Sequence, residues 1–195
     1  MHPELLLLIG ISFSLGFTPG PNNAVASFSG FNFGIRKTIP LIMGVGIGYT
    51  VLVILINFIL ISAFKNYPII QEIIRILGTF FLLYLAYKIS FSVNLSNSKN
   101  INPVKFFDTF LFQFINPKGV MAAITLISKF VRDDNYLNSS IMVIIVCSFT
   151  AFLSITCWTF FGKFLRKFAT NDNFIKNFNY AMSMLIVVCI IGFYI

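Results

Sequence analysis

Two short runs in this 195-residue sequence carry residue types whose spacing could do chemistry. The first is Thr18-Pro19-Gly20-Pro21-Asn22-Asn23. Pro19 has no N–H to give the carbonyl of Leu15, and Pro21 has none for that of Phe17. Each proline also pushes the residue before it out of helical geometry. A helix carrying this run must break rather than bend. If it resumes near Pro21, the new N-terminus aims free N–H groups and positive dipole into the space beyond, which suits a carboxylate. Thr18, Asn22 and Asn23 add polar side chains at the same level. The second run is Asn116-Pro117-Lys118. Pro117 frees the carbonyl of Gln113, and Lys118 places a cation within an apolar stretch. Near mid-membrane such a lysine costs ~2.5–3.5 kcal/mol and needs an interior partner: freed carbonyls, an asparagine or an anionic substrate group.

The elements that must hold these runs are membrane helices. The composition is 57% hydrophobic and 10% charged, against about 25% charged in an ordinary soluble domain. A chain this short has too little interior to hide that much apolar side chain from water. Disorder is excluded on the same grounds. Charge-free intervals of 31, 27, 28 and 19 residues follow Glu4, Lys37, Asp134 and Lys176. Two further apolar stretches carry Arg75 and Lys88 near their ends, and Lys118 inside. Spans are expected at ~5–31, ~39–63, ~73–91, ~106–128, ~138–162 and ~178–195, with the two breaks in the first and fourth.

The expected fold class is therefore all-α: a polytopic integral membrane protein of six transmembrane helices, with helices 1 and 4 broken. Pro19 and Pro117 are 98 residues apart. The same shift carries the second span onto the fifth and the third onto the sixth. Three spans per half is an odd number, so the halves must enter the membrane with opposite orientation, as two inverted repeats. Residues 1–195 then form one domain, with repeat 1 at ~1–93, repeat 2 at ~104–195 and a polar cytoplasmic linker at ~94–103. Loops after odd spans carry nine Lys and Arg, and the remaining loops and ends carry four. That asymmetry puts the odd loops in the cytoplasm and both termini outside. The net charge of +8 reports loops facing anionic lipid, and no nucleic-acid partner is expected.

Other chemistry finds little support. Cys147, Cys157 and Cys189 lie in apolar runs without metal spacing, and the only histidine is His2. No metal site, disulfide or cofactor is expected, and no nucleotide-binding loop, HExxH or GxSxG motif occurs. An enzyme is accordingly not expected. Gly30, Gly34, Gly44, Gly46 and Gly48 read as close-packing positions between helices.

The stretch FTPGPNNAVASFSGFNFGIRKTIPLIMGVGIGY resembles the N-terminal signature of the LysE/RhtB family of amino-acid exporters. LGTFFLLYLAYKI resembles the family's third helix, and FLFQFINPKGVM its second-half NPK box. The resemblance spans essentially the whole chain. It implies ion-gradient-driven efflux of amino acids or related small zwitterionic metabolites across a bacterial inner membrane. It carries a substrate-binding role to Thr18, Pro19, Gly20, Pro21, Asn22, Asn116, Pro117 and Lys118. Tyr49 and Gln113 depart from the family's pattern, which has an acidic or polar residue and an asparagine there. The competing expectation is a non-transporting membrane subunit whose broken helices serve packing and assembly.

Overall fold

The computed structural model describes residues 3–91, 103–169 and 171–194. Among these residues every regular element is helical. The chain runs α1 (Pro3–Phe17), α2 (Pro21–Leu55), a π-helical turn (Ile56–Leu60), α3 (Ile61–Asn66) and α4 (Ile69–Phe91). It continues with α5 (Phe106–Ile115), α6 (Pro117–Phe130), α7 (Tyr136–Arg166) and α8 (Asp172–Ile191). The expected linker at 94–103 and His2 lie outside the described residues, apart from Pro103.

Both proline runs end one helix and start another. α1 stops at Phe17, and α2 starts at Pro21 behind an extended Gly20 (φ −161°, ψ 174°). α5 and α6 meet at Asn116 and are bent by 60°. Proline takes the first position of α2 and of α6, where its missing N–H costs nothing. Each freed stretch of backbone thus becomes a helix start.

The loop expected between the first two spans is a single-residue corner instead. α2 leaves helical geometry only at Gly34 (φ 75°, ψ 175°). The chain folds back there, because the Ser29 and Thr38 hydroxyls hydrogen-bond at 2.9 Å. Nine residues of straight helix would hold them ~13.5 Å apart. At 35 residues, an unbroken α2 would be ~52 Å long, well beyond the ~30 Å of a bilayer's hydrocarbon.

α2 packs along α7, and glycines let the two backbones touch. A Cβ on Gly30 would sit 2.1 Å from the carbonyl oxygen of Thr159, and one on Gly162 would sit 2.0 Å from that of Ser27. Polar side chains stitch the same contacts. Ser27 Oγ donates to Trp158 O at 3.0 Å, and Thr50 Oγ1 to Ser148 Oγ at 2.8 Å. Such bonds hold helices together where no hydrophobic driving force acts between them.

Two apolar clusters flank the breaks. One joins α2, α4, α5 and α8 around Phe31, Leu41, Leu82 and Ile186. The other joins α1, α2, α6 and α7 around Leu8, Val53, Leu126 and Val143. Outside them Phe80, Phe107, Ile145 and Phe149 are 69, 69, 62 and 61% exposed. Among the described residues four helical stretches are long and apolar enough to cross a membrane, and a fifth is formed if α5 and α6 count together. This is a multi-pass membrane protein whose outer apolar belt faces lipid.

At one end of the molecule Arg132 pairs with Glu4 at 3.4 Å and with Asp134 at 2.9 Å. The guanidinium holds the Asp134 carboxyl below the usual carboxylate range. These contacts set the start of α1 beside the α6–α7 turn. Arg75 donates to the carbonyl of Phe193 at 3.1 Å, which ties the start of α4 to the end of the chain.

Candidate functional site

The two breaks meet. Lys118 Nζ donates to the carbonyl of Thr18 at 2.6 Å and to that of Pro19 at 3.4 Å. Of the three partners open to this lysine from sequence, the structure provides the freed carbonyls. An ammonium has three hydrogens, so one remains for another acceptor. Gly20 leaves Lys118 room to reach these carbonyls: a Cβ there would lie 2.8 Å from its Nζ.

Further carbonyls at the breaks also find partners. Asn23 Nδ2 donates to Gly16 O and Thr18 O, both at 3.0 Å. Ser154 Oγ, from α7, donates to Gly16 O at 2.8 Å. Gln113 O, freed by Pro117, accepts the Asn116 N–H at 3.4 Å. A second bridge joins the runs through side chains. Asn22 Nδ2 donates to Gln113 Oε1 at 2.9 Å, and Gln113 Nε2 donates back to Asn22 Oδ1 at 3.3 Å. Gln113 is fully buried and also donates to Thr109 O at 2.7 Å.

Between the breaks lies a cavity with about 80 Å³ open to a water-sized sphere. That is room for several waters, since one needs ~10–15 Å³. The start of α2 lines it with Gly20, Pro21, Asn22 and Asn23, and the start of α6 with Asn116, Lys118 and Gly119. Neither helix start has a side-chain cap. Two helix dipoles therefore point positive ends at one small space, beside a lysine. Ser12, Tyr49, Thr150 and Ser154 complete the polar wall.

Two lining residues hold buried polar atoms without a partner: Asn116 Oδ1 and Thr150 Oγ1. Leaving such an atom unpaired costs ~1–3 kcal/mol. Both can accept a hydrogen bond from a cationic group. The wall thus combines an anion-favouring side with free acceptors, the chemistry of a zwitterion site.

Of the eight residues singled out from sequence, Gly20, Pro21, Asn22, Asn116 and Lys118 line the cavity. Thr18 and Pro19 take part through their carbonyls. Pro117 turns toward α4, where its ring would meet a Cβ on Gly78 at 2.7 Å. Sequence reasoning missed Thr150 and Ser154, although two hydroxyls four residues apart on an apolar helix do mark one face. Tyr49 lies against Gly119 in the wall. No cluster of metal-ligating side chains occurs among the described residues.

A larger cavity of about 470 Å³ lies between α2, α4 and α5. Asn22 and Val45 line both cavities.

Comparison with known proteins agrees with this architecture. The family model described as LysE type translocator matches residues 13–195. The "Cysteine/O-acetylserine efflux protein" of Salmonella typhimurium (strain LT2) is 30% identical over 174 residues, covering 88% of each chain. The protein of that name from Escherichia coli (strain K12) is 24% identical over 173 residues, again covering 88% of each. No solved structure matches the chain. With a match over nearly its whole length, and both halves of the family's motif lining one cavity, the chain belongs to the LysE type translocator family, a family of transporters rather than enzymes.

Proposed function

We propose that this protein is a secondary exporter of small zwitterionic amino acids or close derivatives, and that the cavity between the two helix starts is its binding site. The observation that carries this is the convergence of two uncapped, proline-started helices and Lys118 on a cavity holding the orphaned Asn116 Oδ1 and Thr150 Oγ1. The substrate carboxylate sits at the helix starts and the remaining Lys118 hydrogen. Its ammonium sits against Asn116 and Thr150. The backbone carbonyls at the first break suit the ammonium less well, because side chains already occupy them.

The names of the relatives favour cysteine and O-acetylserine as the first substrates to try. Six spans in two inverted repeats also find support. Thr50 bonds Ser148, and Gly20 abuts Lys118. Each pair is separated by the same 98 positions that relate the two prolines. Residues beside a two-fold axis touch their own equivalents in this way. The repeats rock against each other around the site. The protein sits in the bacterial inner membrane with termini outside, and an ion gradient supplies the energy.

The test is efflux from proteoliposomes loaded with labelled cysteine, O-acetylserine and a panel of other amino acids. Saturable efflux of at least one small zwitterion above protein-free vesicles is expected. Its absence across the panel would leave the packing-subunit reading in place.

A further inference from the structure

The larger cavity has features that packing alone does not account for. Its volume of about 470 Å³ falls within the ~300–1,000 Å³ of small-molecule sites. Two opposite charges line it, Lys88 from the end of α4 and Asp108 from the start of α5. Neither forms an ion pair among the described residues. Asp108 accepts the Lys105 N–H at 3.3 Å, and the Lys88 ammonium stands 6.0 Å from the Tyr84 ring centre. Beyond this charged end the walls are apolar, with Phe81, Phe112 and Ile115. Asn22 lines this cavity and the small one alike. Val45 lines both cavities as well, and Asn22 is held in place by its two neutral hydrogen bonds to the buried Gln113.

We infer that this cavity is an entry vestibule with its own zwitterion subsite. Asp108 receives the substrate's ammonium, Lys88 its carboxylate, and the Asn22–Gln113 bridge is the partition the substrate displaces to reach the inner site. This rests on the export reading above. One anion and one cation suit a molecule that carries both charges and not a cation or an anion alone. The apolar walls favour a short, weakly polar side chain. An amide bridge suits a partition, because a substrate's ammonium and carboxylate can replace each of its hydrogen bonds as it passes.

The experiment measures O-acetylserine entry from the vestibule side of proteoliposomes, with 3-acetoxypropionate, its deaminated analogue, as inhibitor. Asp108→Asn keeps an acceptor for the Lys105 N–H and removes only the charge. It should raise the KM for O-acetylserine about fivefold, with maximal rate and inhibition by the analogue unchanged. Lys88→Gln should raise the KM and weaken the analogue alike. Wild-type KM in both variants would overturn the vestibule while leaving export intact. So would an Asp108→Asn effect that extends equally to the analogue. A cavity filled by a lipid chain gives the first of these results, consistent with exposed Tyr84 and Leu111 on its wall. Absence of flux in the wild-type protein for O-acetylserine and for every other small zwitterion of the panel would instead count against the export reading and remove the vestibule with it.

Discussion

Lys118 is the residue that joins the two breaks. Its ammonium donates to the Thr18 and Pro19 carbonyls, which lie between the end of α1 and the start of α2. Lys118→Met removes a charge-assisted bond at the cavity wall, worth ~1.5–3 kcal/mol. Efflux kinetics should show substrate affinity reduced roughly 10- to 150-fold at ~1.4 kcal/mol per decade. Lys118→Arg keeps the charge on a wider, planar head and should lose part of that. Gly20→Ala tests the same geometry from the other side. Its Cβ would arrive 2.8 Å from the ammonium, so the flexible lysine must swing off Thr18. The expected result is impaired efflux with an unchanged melting temperature. At this scale the sequence was informative about covalent facts and silent about partners. A proline's missing N–H is visible in a string of letters, and so is a lysine at mid-span. That Asn22 would find Gln113, 91 positions away, depends on how α2 lies against α5, which spacing does not encode.

The same division runs through the elements. Pro19 and Pro117 announced the broken helices, because no tertiary contact restores a hydrogen that proline lacks. Gly30 and Gly34 both read from sequence as close-packing positions, and Gly34 is not one. The structure gives the two glycines different duties. Gly30 lets the Thr159 carbonyl approach, whereas Gly34 has open space around it and a φ of 75°. Identical residues at helical spacing cannot reveal a backbone sign. Gly34→Ala should therefore destabilise the protein by about 1–3 kcal/mol through backbone strain alone. Gly162→Ala should destabilise it by steric pressure on the Ser27 carbonyl, about 1–3 kcal/mol or more. Thermal unfolding in detergent measures both. A Gly34→Ala protein with wild-type stability would mean the corner between the first two membrane segments is not fixed at that residue.

For the whole molecule, the charge-free intervals gave the helical membrane class directly, because a bilayer's thickness sets a length that composition alone can satisfy. Orientation is a statistical inference from Lys and Arg, and it makes its own prediction. A protease applied to spheroplasts, whose outer membrane has been opened, should remove an epitope tag placed after Ile195, and a tag at residue 1 should behave likewise. Protection of either tag would contradict both termini being outside. The central claim is that substrate passes through the cavity where α2 and α6 begin. Ala122 lines that cavity without offering any polar group, so filling it leaves every hydrogen bond in place. Efflux of the best amino acid of the panel should be compared for the wild-type protein and Ala122→Leu, with folding checked by monodisperse elution. The account predicts saturable efflux for the wild type and at least about a tenfold loss in the filled variant. Undiminished efflux by a well-folded Ala122→Leu protein would contradict it.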